Sequence, residues 1–337
     1  MLPFVSQVSD RVLEALPTVS DVIDASVRLQ GIVSKTPLIR SEALESRLGR
    51  PVFVKCEPLQ LTGSFKIRGA YNRLSRLTDE QRPSGVVAFS SGNHAQGVAR
   101  AARLLSVPAT IVMPHDTPEV KIEGVRQDGA DIVFYDRQTE SREDIAARLA
   151  EQSGAVLVPS YDDVHVIAGQ GTAGLEVCEA WPLERVPETL VCCVGGGGLI
   201  AGVGLAVKDK WPDLKICGAE PAAFDDHARS LVSGERETNA PEARSICDAL
   251  LSPSPGKLTF AINQKNLSGV GCVSDDEVRE AMRFAFRHLK VVVEPGGAAA
   301  LAAAIFNKIE HDGDGPLIIF MTGGNVDPSA FARILAG

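Results

Sequence analysis

The chain has 337 residues, 45% of them hydrophobic, and its 34 basic and 43 acidic side chains leave a formal net charge of −9. That acidic balance argues against nucleic acid as the main partner, because gripping phosphates takes a basic surface. No apolar run approaches the roughly 18 residues of a membrane span, and the opening MLPFVSQVSDRVLEALP lacks the basic flank and unbroken apolar core of a secretory signal, so neither membrane nor export is expected.

A chain of this length suits two packed lobes better than one. Val52–Val54 reads as a strand and Gly85–Phe89 as another, followed by a helical stretch over His94–Leu105. Next come strand Pro108–Met113, a helix around Glu119–Gln127, strand Asp131–Phe134, an amphipathic helix over Glu140–Gln152 and strand Val156–Val158. These predict a compact smaller lobe over residues 84–160. A second series opens with a helix from Gly169 to about Trp181, then strand Thr189–Val194, a glycine run, a helix to about Lys210 and strand Lys215–Ala219. Residues 221–270 carry weak periodicity and the breakers Pro221, Pro241, Pro253 and Pro255, so irregular structure is expected there. Ser274–Phe286 reads as a helix opening on good capping residues, Pro295–Lys308 as another, Pro316–Met321 as a buried strand and Pro328–Leu335 as a closing helix. Strands alternating with helices predict an α/β fold of parallel sheets, with residues 1–75 and 163–337 forming the larger lobe and no regulatory domain appended after it. The seven cysteines (56, 178, 192, 193, 217, 247 and 272) follow no CxxC spacing. They read as small buried thiols of a reducing compartment, the cytoplasm, rather than a disulfide framework or a zinc site.

Four short motifs carry chemistry. In Leu61-Thr-Gly-Ser-Phe65-Lys66-Ile-Arg-Gly-Ala70 a lysine enters a helix between two apolar residues. Desolvation there disfavours the ammonium form and leaves an amine able to attack a carbonyl, although most lysines are plain surface charges. In Ser90-Ser91-Gly92-Asn93-His94-Ala-Gln96, a strand-to-helix turn offers backbone N–H groups suited to a carboxylate; a simple capped turn fits equally well. Val194-Gly195-Gly196-Gly197-Gly198-Leu199 lets the backbone wrap a phosphate at a helix N-terminus. Which phosphate stays open: Gly196, Gly198 and Ala201 also fit a dinucleotide fingerprint, with Glu220 placed as a ribose-binding acid, so a nicotinamide dehydrogenase competes. In Met321-Thr322-Gly-Gly-Asn-Val326, Thr322 is placed either to face a cofactor or simply to end a strand.

Taken together and in order, SFKIRGA, SSGNHAQG, the tetraglycine run, EPGGAAALAA at 294–303 and TGGNVD at 322–327 resemble the fold-type-II pyridoxal-phosphate enzymes, specifically the serine/threonine dehydratase, serine racemase and hydroxyaspartate dehydratase family. The resemblance covers nearly the whole chain and leaves the dehydrogenase reading with one motif out of five. It implies two open parallel-sheet lobes of the tryptophan-synthase-β-like architecture, with pyridoxal 5'-phosphate in the cleft and a Schiff base at Lys66 beside Phe65. It further implies a phosphate cup at Gly195, Gly196, Gly197, Gly198 and Leu199, Asn93 beside the ring's phenolic oxygen, and Thr322 near the pyridine nitrogen. The substrate carboxylate would lie on Ser90, Ser91, Gly92, Asn93 and His94. The stretch Gly218-Ala-Glu220-Pro-Ala-Ala-Phe224-Asp-Asp226 resembles the divalent-cation site of racemase-like members. There Glu220, Asp226 and the carbonyl of Phe224 would offer hard oxygens to Mg²⁺, Mn²⁺ or Ca²⁺, a solvated acidic loop being the plainer alternative. Phe224 replaces a smaller residue usual in the family.

The implied reaction is elimination of water and ammonia from a small β-hydroxy amino acid (serine, threonine or 3-hydroxyaspartate), with Lys66 as base, in a homodimer. Ser91, where plain threonine dehydratases tend to carry alanine, resembles serine racemases and hydroxyaspartate dehydratases and could work on the second face of the substrate. Serine racemisation is therefore the runner-up. Arg142 resembles a substrate-lobe arginine able to bind a second carboxylate; the plainer reading is an exposed helix arginine paired with neighbouring glutamates.

Overall fold

A computed structural model describes residues 16–90, 92–117, 119–310 and 313–337. Ten strands form two sheets: β1 (Leu38–Arg40), β2 (Val52–Cys56), β7 (Thr189–Cys193), β8 (Lys215–Pro221), β9 (Leu267–Val273) and β10 (Leu317–Met321) in one, and β3 (Val86–Phe89), β4 (Ala109–Pro114), β5 (Asp131–Tyr135) and β6 (Val156–Leu157) in the other. The strand orders are β1-β2-β10-β7-β8-β9 and β5-β4-β3-β6. Every pairing is parallel except β1 with β2, an antiparallel edge.

Residues of β2, β7 and β10 are buried without exception, which is why they read as unbroken apolar runs: helices cover both faces of the sheet. Helix Pro295–Ile305, built of glycine, alanine and leucine between its ends, lies on β7 and β10. Its small side chains let it approach closely. Each sheet also has one place where the winding reverses. From β7 the chain steps outward to β8 and β9 and returns on the other side of β7 as β10. From β3 it steps to β4 and β5 and returns beside β3 as β6. Open α/β sheets bind ligands in the crevice beyond the carboxyl ends of the strands at such reversals. The segments after β7 and β3 are the tetraglycine run and the Ser90–His94 turn.

Helix Lys66–Leu74 packs on both helix Asn93–Leu105 and helix Val164–Ala180. The second crossing is tight: a Cβ on Gly169 would come within 2.5 Å of the Arg68 carbonyl oxygen. Arg68 anchors the first turn of the Lys66 helix from inside. Its guanidinium donates to Glu57 Oε2 at 2.8 Å and to Glu176 Oε1 at 2.7 Å, with no side-chain exposure on Arg68 or Glu57. A buried ion pair of this kind is costly to break from one side, so it fixes geometry.

The structure departs from the sequence reading in several elements. The helix expected from Gly169 starts at Val164, because the Asp163 carboxylate accepts from the N–H groups of His165 and Val166 and caps it there. The stretch 221–270, expected to be irregular, contains helices Asp226–Ser233 and Lys257–Asn266 and most of β9. The glycine-containing β9 owes its strand conformation to pairing with β8, a partner no local pattern reveals. Helices Val19–Leu29 and Glu42–Leu48 and strand β1 are further elements beyond the predicted set. The seven cysteines are free and six are buried. Among the described residues no helix is long and apolar enough to cross a membrane.

Candidate active site

Lys66 opens its helix directly after a turn stitched to the loop that follows β10. Phe65 N–H donates to the Thr322 carbonyl at 3.2 Å, Ser64 bridges Gly323, and Asn325 Nδ2 donates to the Thr62 carbonyl at 2.7 Å. The lysine and the TGGN motif are therefore one structural unit. Lys66 Nζ donates to the Ser160 carbonyl at 2.8 Å. Desolvation brings its pKa down to about 8, against the opposing pull of the Glu294 carboxylate. The amine stands at the junction of two cavities that share Lys66, Asn93 and Glu294.

The smaller cavity, about 80 Å³, is lined by Gly195–Gly198, Leu199, Phe65 and Thr322. The glycine loop is built for close approach. A Cβ at Gly196 would fall 2.3 Å from the Tyr161 ring, and Gly197 sits at φ +93°, where side chains are strained. Thr259 Oγ1 donates to the Gly196 carbonyl at 2.6 Å and Asn263 Nδ2 to the Gly197 carbonyl at 3.3 Å, so the loop's oxygens are tied back. Helix Gly198–Lys210 starts there, and the first N–H groups of a helix have no intrahelical acceptor. Gln170 also lines this cavity, and both of its amide atoms are buried without a partner among the described residues.

The larger cavity, about 380 Å³, is walled by the Ser90–His94 turn on one side and by Arg142 and Arg236 elsewhere. Ser90 N–H donates to the Val112 carbonyl and Gly92 N–H to Ser90 Oγ. Ser91 lies outside the described residues. His94 Nε2 is 3.0 Å from the Val158 carbonyl; burial, helped by the positive charge of Lys66, brings its pKa down to about 3, so the ring is neutral. A loop after the reversal strand of one sheet thus faces a loop after the reversal strand of the other, with a desolvated lysine between them.

A family model described as "Pyridoxal-phosphate dependent enzyme" matches residues 29–323. The chain is 47% identical over 323 residues to an L-threo-3-hydroxyaspartate ammonia-lyase of Pseudomonas sp., covering 96% of this chain and 99% of that one. It is 38% identical to a serine racemase of Schizosaccharomyces pombe over 95% of this chain and 98% of that one. The structure of maize serine racemase superposes with a TM-score of 0.89 at 38% identity, over 95% and 97% of the two chains. This chain belongs to the pyridoxal-phosphate dependent enzymes.

The donor set fits that cofactor. A pyridoxal-phosphate dependent enzyme needs an amine kept partly neutral and a cradle for a phosphate dianion. Lys66 supplies the first; the glycine loop at a helix N-terminus, with the unpartnered Gln170 beside it, matches the second. Thr322, 5% exposed, lines the same cavity and brings no charge.

Arg142 begins helix Arg142–Ser153 and lines the larger cavity. Its Nε donates to Glu143 at 2.8 Å and its guanidinium carbon lies 5.4 Å from the centre of the Phe89 ring. It therefore pairs with the neighbouring glutamate, as the plainer reading expected, while also lining the cavity.

Glu220 and Asp226 come together with a third residue that sequence reasoning passed over. Ligand atoms of Glu220, Asp226 and His227 all lie within 4.8 Å of one another, and all three side chains are buried. His227 Nδ1 is 3.7 Å from Asp226 Oδ2, and neither atom has a hydrogen-bond partner among the described residues. Burial pushes the Glu220 carboxyl up to about 9, while backbone N–H bonds from Ala228 and His227 pull the other way. Phe224 is buried, its N–H donating to the Pro221 carbonyl.

Sequence reasoning also missed Ser160, Tyr161, Gln170, Arg236 and Glu294 in the cavity walls. Only Glu294 carried a signal, as the first residue of the EPGGAAALAA motif. The others come from segments whose local pattern reads as ordinary loop or helix.

Proposed function

We propose that this protein is a pyridoxal-phosphate-dependent ammonia-lyase that converts a β-hydroxy-α-amino acid to a 2-oxo acid and ammonia, with 3-hydroxyaspartate as the preferred substrate. The observation that carries the reading is the desolvated Lys66 amine between a glycine cradle and a second cavity walled by Arg142. Support for the substrate comes from the 47% identical relative that acts on L-threo-3-hydroxyaspartate.

When bound, pyridoxal phosphate supplies the electron sink that makes an amino acid's Cα proton removable. The Gly195–Leu199 loop and Gln170 would hold its phosphate, Asn93 would serve its phenolic oxygen and Thr322 its ring nitrogen. Thr322 is neutral and so cannot keep that nitrogen protonated as a carboxylate would, which favours rapid elimination over longer-lived alternatives. The Ser90–His94 turn holds the substrate carboxylate, and Arg142 turns from Glu143 to a second carboxylate as a charge-assisted pair. Lys66 takes the Cα proton as general base. The β-hydroxyl leaves as water carrying the proton that Lys66 took from Cα, and the released enamine takes up one water and sheds ammonia, so one substrate gives one 2-oxo acid and one ammonia. Residues 1–75 and 163–337 would form the cofactor lobe and 84–160 the substrate lobe of a cytoplasmic homodimer. Glu220, Asp226 and the Phe224 carbonyl, with His227 beside them, would take a divalent cation of the Mg²⁺, Mn²⁺ or Ca²⁺ class.

A keto-acid assay across L- and D-serine, L-threonine and the 3-hydroxyaspartate diastereomers tests the reading. The largest kcat/KM is expected on L-threo-3-hydroxyaspartate; no keto acid from any of them would sink it. Serine racemisation is the second reading, favoured by the 38% identical racemase relative, and chiral analysis of serine after incubation separates the two.

A further inference from the structure

Asn93 is held at both ends of its amide by side chains from distant parts of the chain. Its Nδ2 donates to Glu294 Oε1 at 2.5 Å, and its Oδ1 accepts from Asn325 Nδ2 at 2.7 Å. The direction of this chain is set by a group that cannot reverse. The Thr62 carbonyl only accepts, so Asn325 must turn its NH₂ toward it; that same NH₂ meets Asn93 Oδ1 and, at 3.2 Å, Gln96 Oε1. Asn93 therefore presents oxygen to Asn325 and nitrogen to Glu294. Of its four hydrogen-bonding positions, a second Nδ2 hydrogen and one lone pair remain, and the hydrogen lies on the nitrogen that Glu294 has drawn to its side. Glu294 has little freedom: it is 2% exposed, its N–H donates to the Gly323 carbonyl at 3.0 Å, and a Cβ on Gly323 would sit 2.2 Å from its Oε1.

We infer that Glu294 is a positioning residue for Asn93, fixing the amide so that it offers a hydrogen, not a lone pair, to an anionic oxygen in the Lys66 cavity. The inference rests on the reading above that Asn93 faces the phenolic oxygen of pyridoxal phosphate. Without Glu294 the Asn325 bond to Oδ1 still sets the direction of the amide, but its nitrogen is no longer tethered and the remaining hydrogen is no longer held toward that oxygen. Burial pushes the Glu294 carboxyl up to about 8, so at pH 7 it is mostly uncharged and its direct pull on Lys66 is small; its effect at that pH runs through Asn93 and must vanish when Asn93 is gone.

The test is a double-mutant cycle of Glu294→Ala and Asn93→Ala, with Glu294→Gln as the conservative control. Equilibrium dialysis of the apoproteins against pyridoxal phosphate gives cofactor affinity, and the visible absorbance band of the loaded proteins reports the ring's environment. Glu294→Ala is expected to weaken affinity about tenfold and shift the band when Asn93 is present, and to change neither in the Asn93→Ala background; about tenfold corresponds to one lost hydrogen bond of ~1.4 kcal/mol. Glu294→Gln, which keeps Oε1, is expected within about threefold of the parent. Equal losses from Glu294→Ala in both backgrounds would overturn the inference alone, and so would a Gln variant as poor as Ala. If Asn93→Ala by itself changes neither affinity nor band, the placement of Asn93 beside the ring falls, and the inference with it. Thermal melting of each apoprotein identifies a variant that fails to fold; the Gln arm and the cycle's other corners then decide.

Discussion

The two loops that meet at Lys66 use one device for opposite purposes. Each follows the reversal strand of its own sheet and leads into the N-terminus of a helix, where free N–H groups and the helix dipole favour an anion. The Gly195–Gly198 loop is closed in. Tyr161 and Leu250 press on it, and Thr259 and Asn263 tie back its carbonyls. The Ser90–His94 turn instead faces the larger cavity, and among the described residues a Cβ on Gly92 would meet nothing nearer than Lys121 Nζ at 3.9 Å. The contrast matches residence. On the proposed function, a cofactor that stays would be gripped by a loop with no room to move, and a substrate that comes and goes would be met by a loop with space beside it.

Removing the lysine between the loops should have the largest effect. Lys66→Ala is expected to lower kcat by more than about 10³-fold, in line with losing both nucleophile and base, and to abolish the borohydride-trapped adduct on mass spectrometry. Persistent turnover would deny that the two loops serve one amine. Next, Gly196→Ala places a methyl where the Tyr161 ring now is. Overpacking of about 1–3 kcal/mol should weaken pyridoxal-phosphate affinity roughly tenfold to a hundredfold, while Gly92→Ala should leave it within about threefold. Equal losses from the two alanines would erase the distinction between closed and open loop.

On the open side, Arg142→Ala should cut kcat/KM for 3-hydroxyaspartate about tenfold or more, the worth of a hydrogen bond to a charged group, and leave serine nearly unchanged. A matching loss on serine would make Arg142 a scaffold residue rather than a reader of the second carboxylate. The smallest effect is one of pH. With the Lys66 pKa near about 8, the neutral fraction of its amine is about a tenth at pH 7 and half at pH 8, so capture of pyridoxal phosphate by apoprotein should speed about fivefold over that unit and level off above pH 9. An ordinary exposed lysine, with a pKa of about 10.4, would still accelerate about sevenfold between pH 9 and pH 10, and stopped-flow absorbance distinguishes the two.

Which of these residues could be read from the sequence follows from how each gets its role. Lys66, the tetraglycine run and Asn93 sit in short motifs whose local chemistry already says something: an amine entering a helix, a backbone free of Cβ, a polar helix start. Glu294 lay inside a motif but showed no role, because its significance is a hydrogen bond to a residue 201 positions away. Gln170 and Tyr161 gave no signal. Gln170 projects from an ordinary-looking helix, and Tyr161 matters because Gly196 leaves room for its ring. His227 was overlooked for a similar reason: it directly follows Asp226, but its ring meets Glu220 only when β8 and the following helix fold against one another.

The sequence by itself determined the alternation of strands and helices, the buried character of the central strands and the chemistry of the lysine and glycine motifs, since these depend on periodicity and on what one residue or turn can do. Tertiary structure alone decided that β9 is a strand, that the loops of two different sheets converge on one amine, and that Asn93 is clamped between Glu294 and Asn325. Those features depend on contacts between segments far apart in the chain, and such contacts exist only once burial has brought the two sheets and the helix between them together.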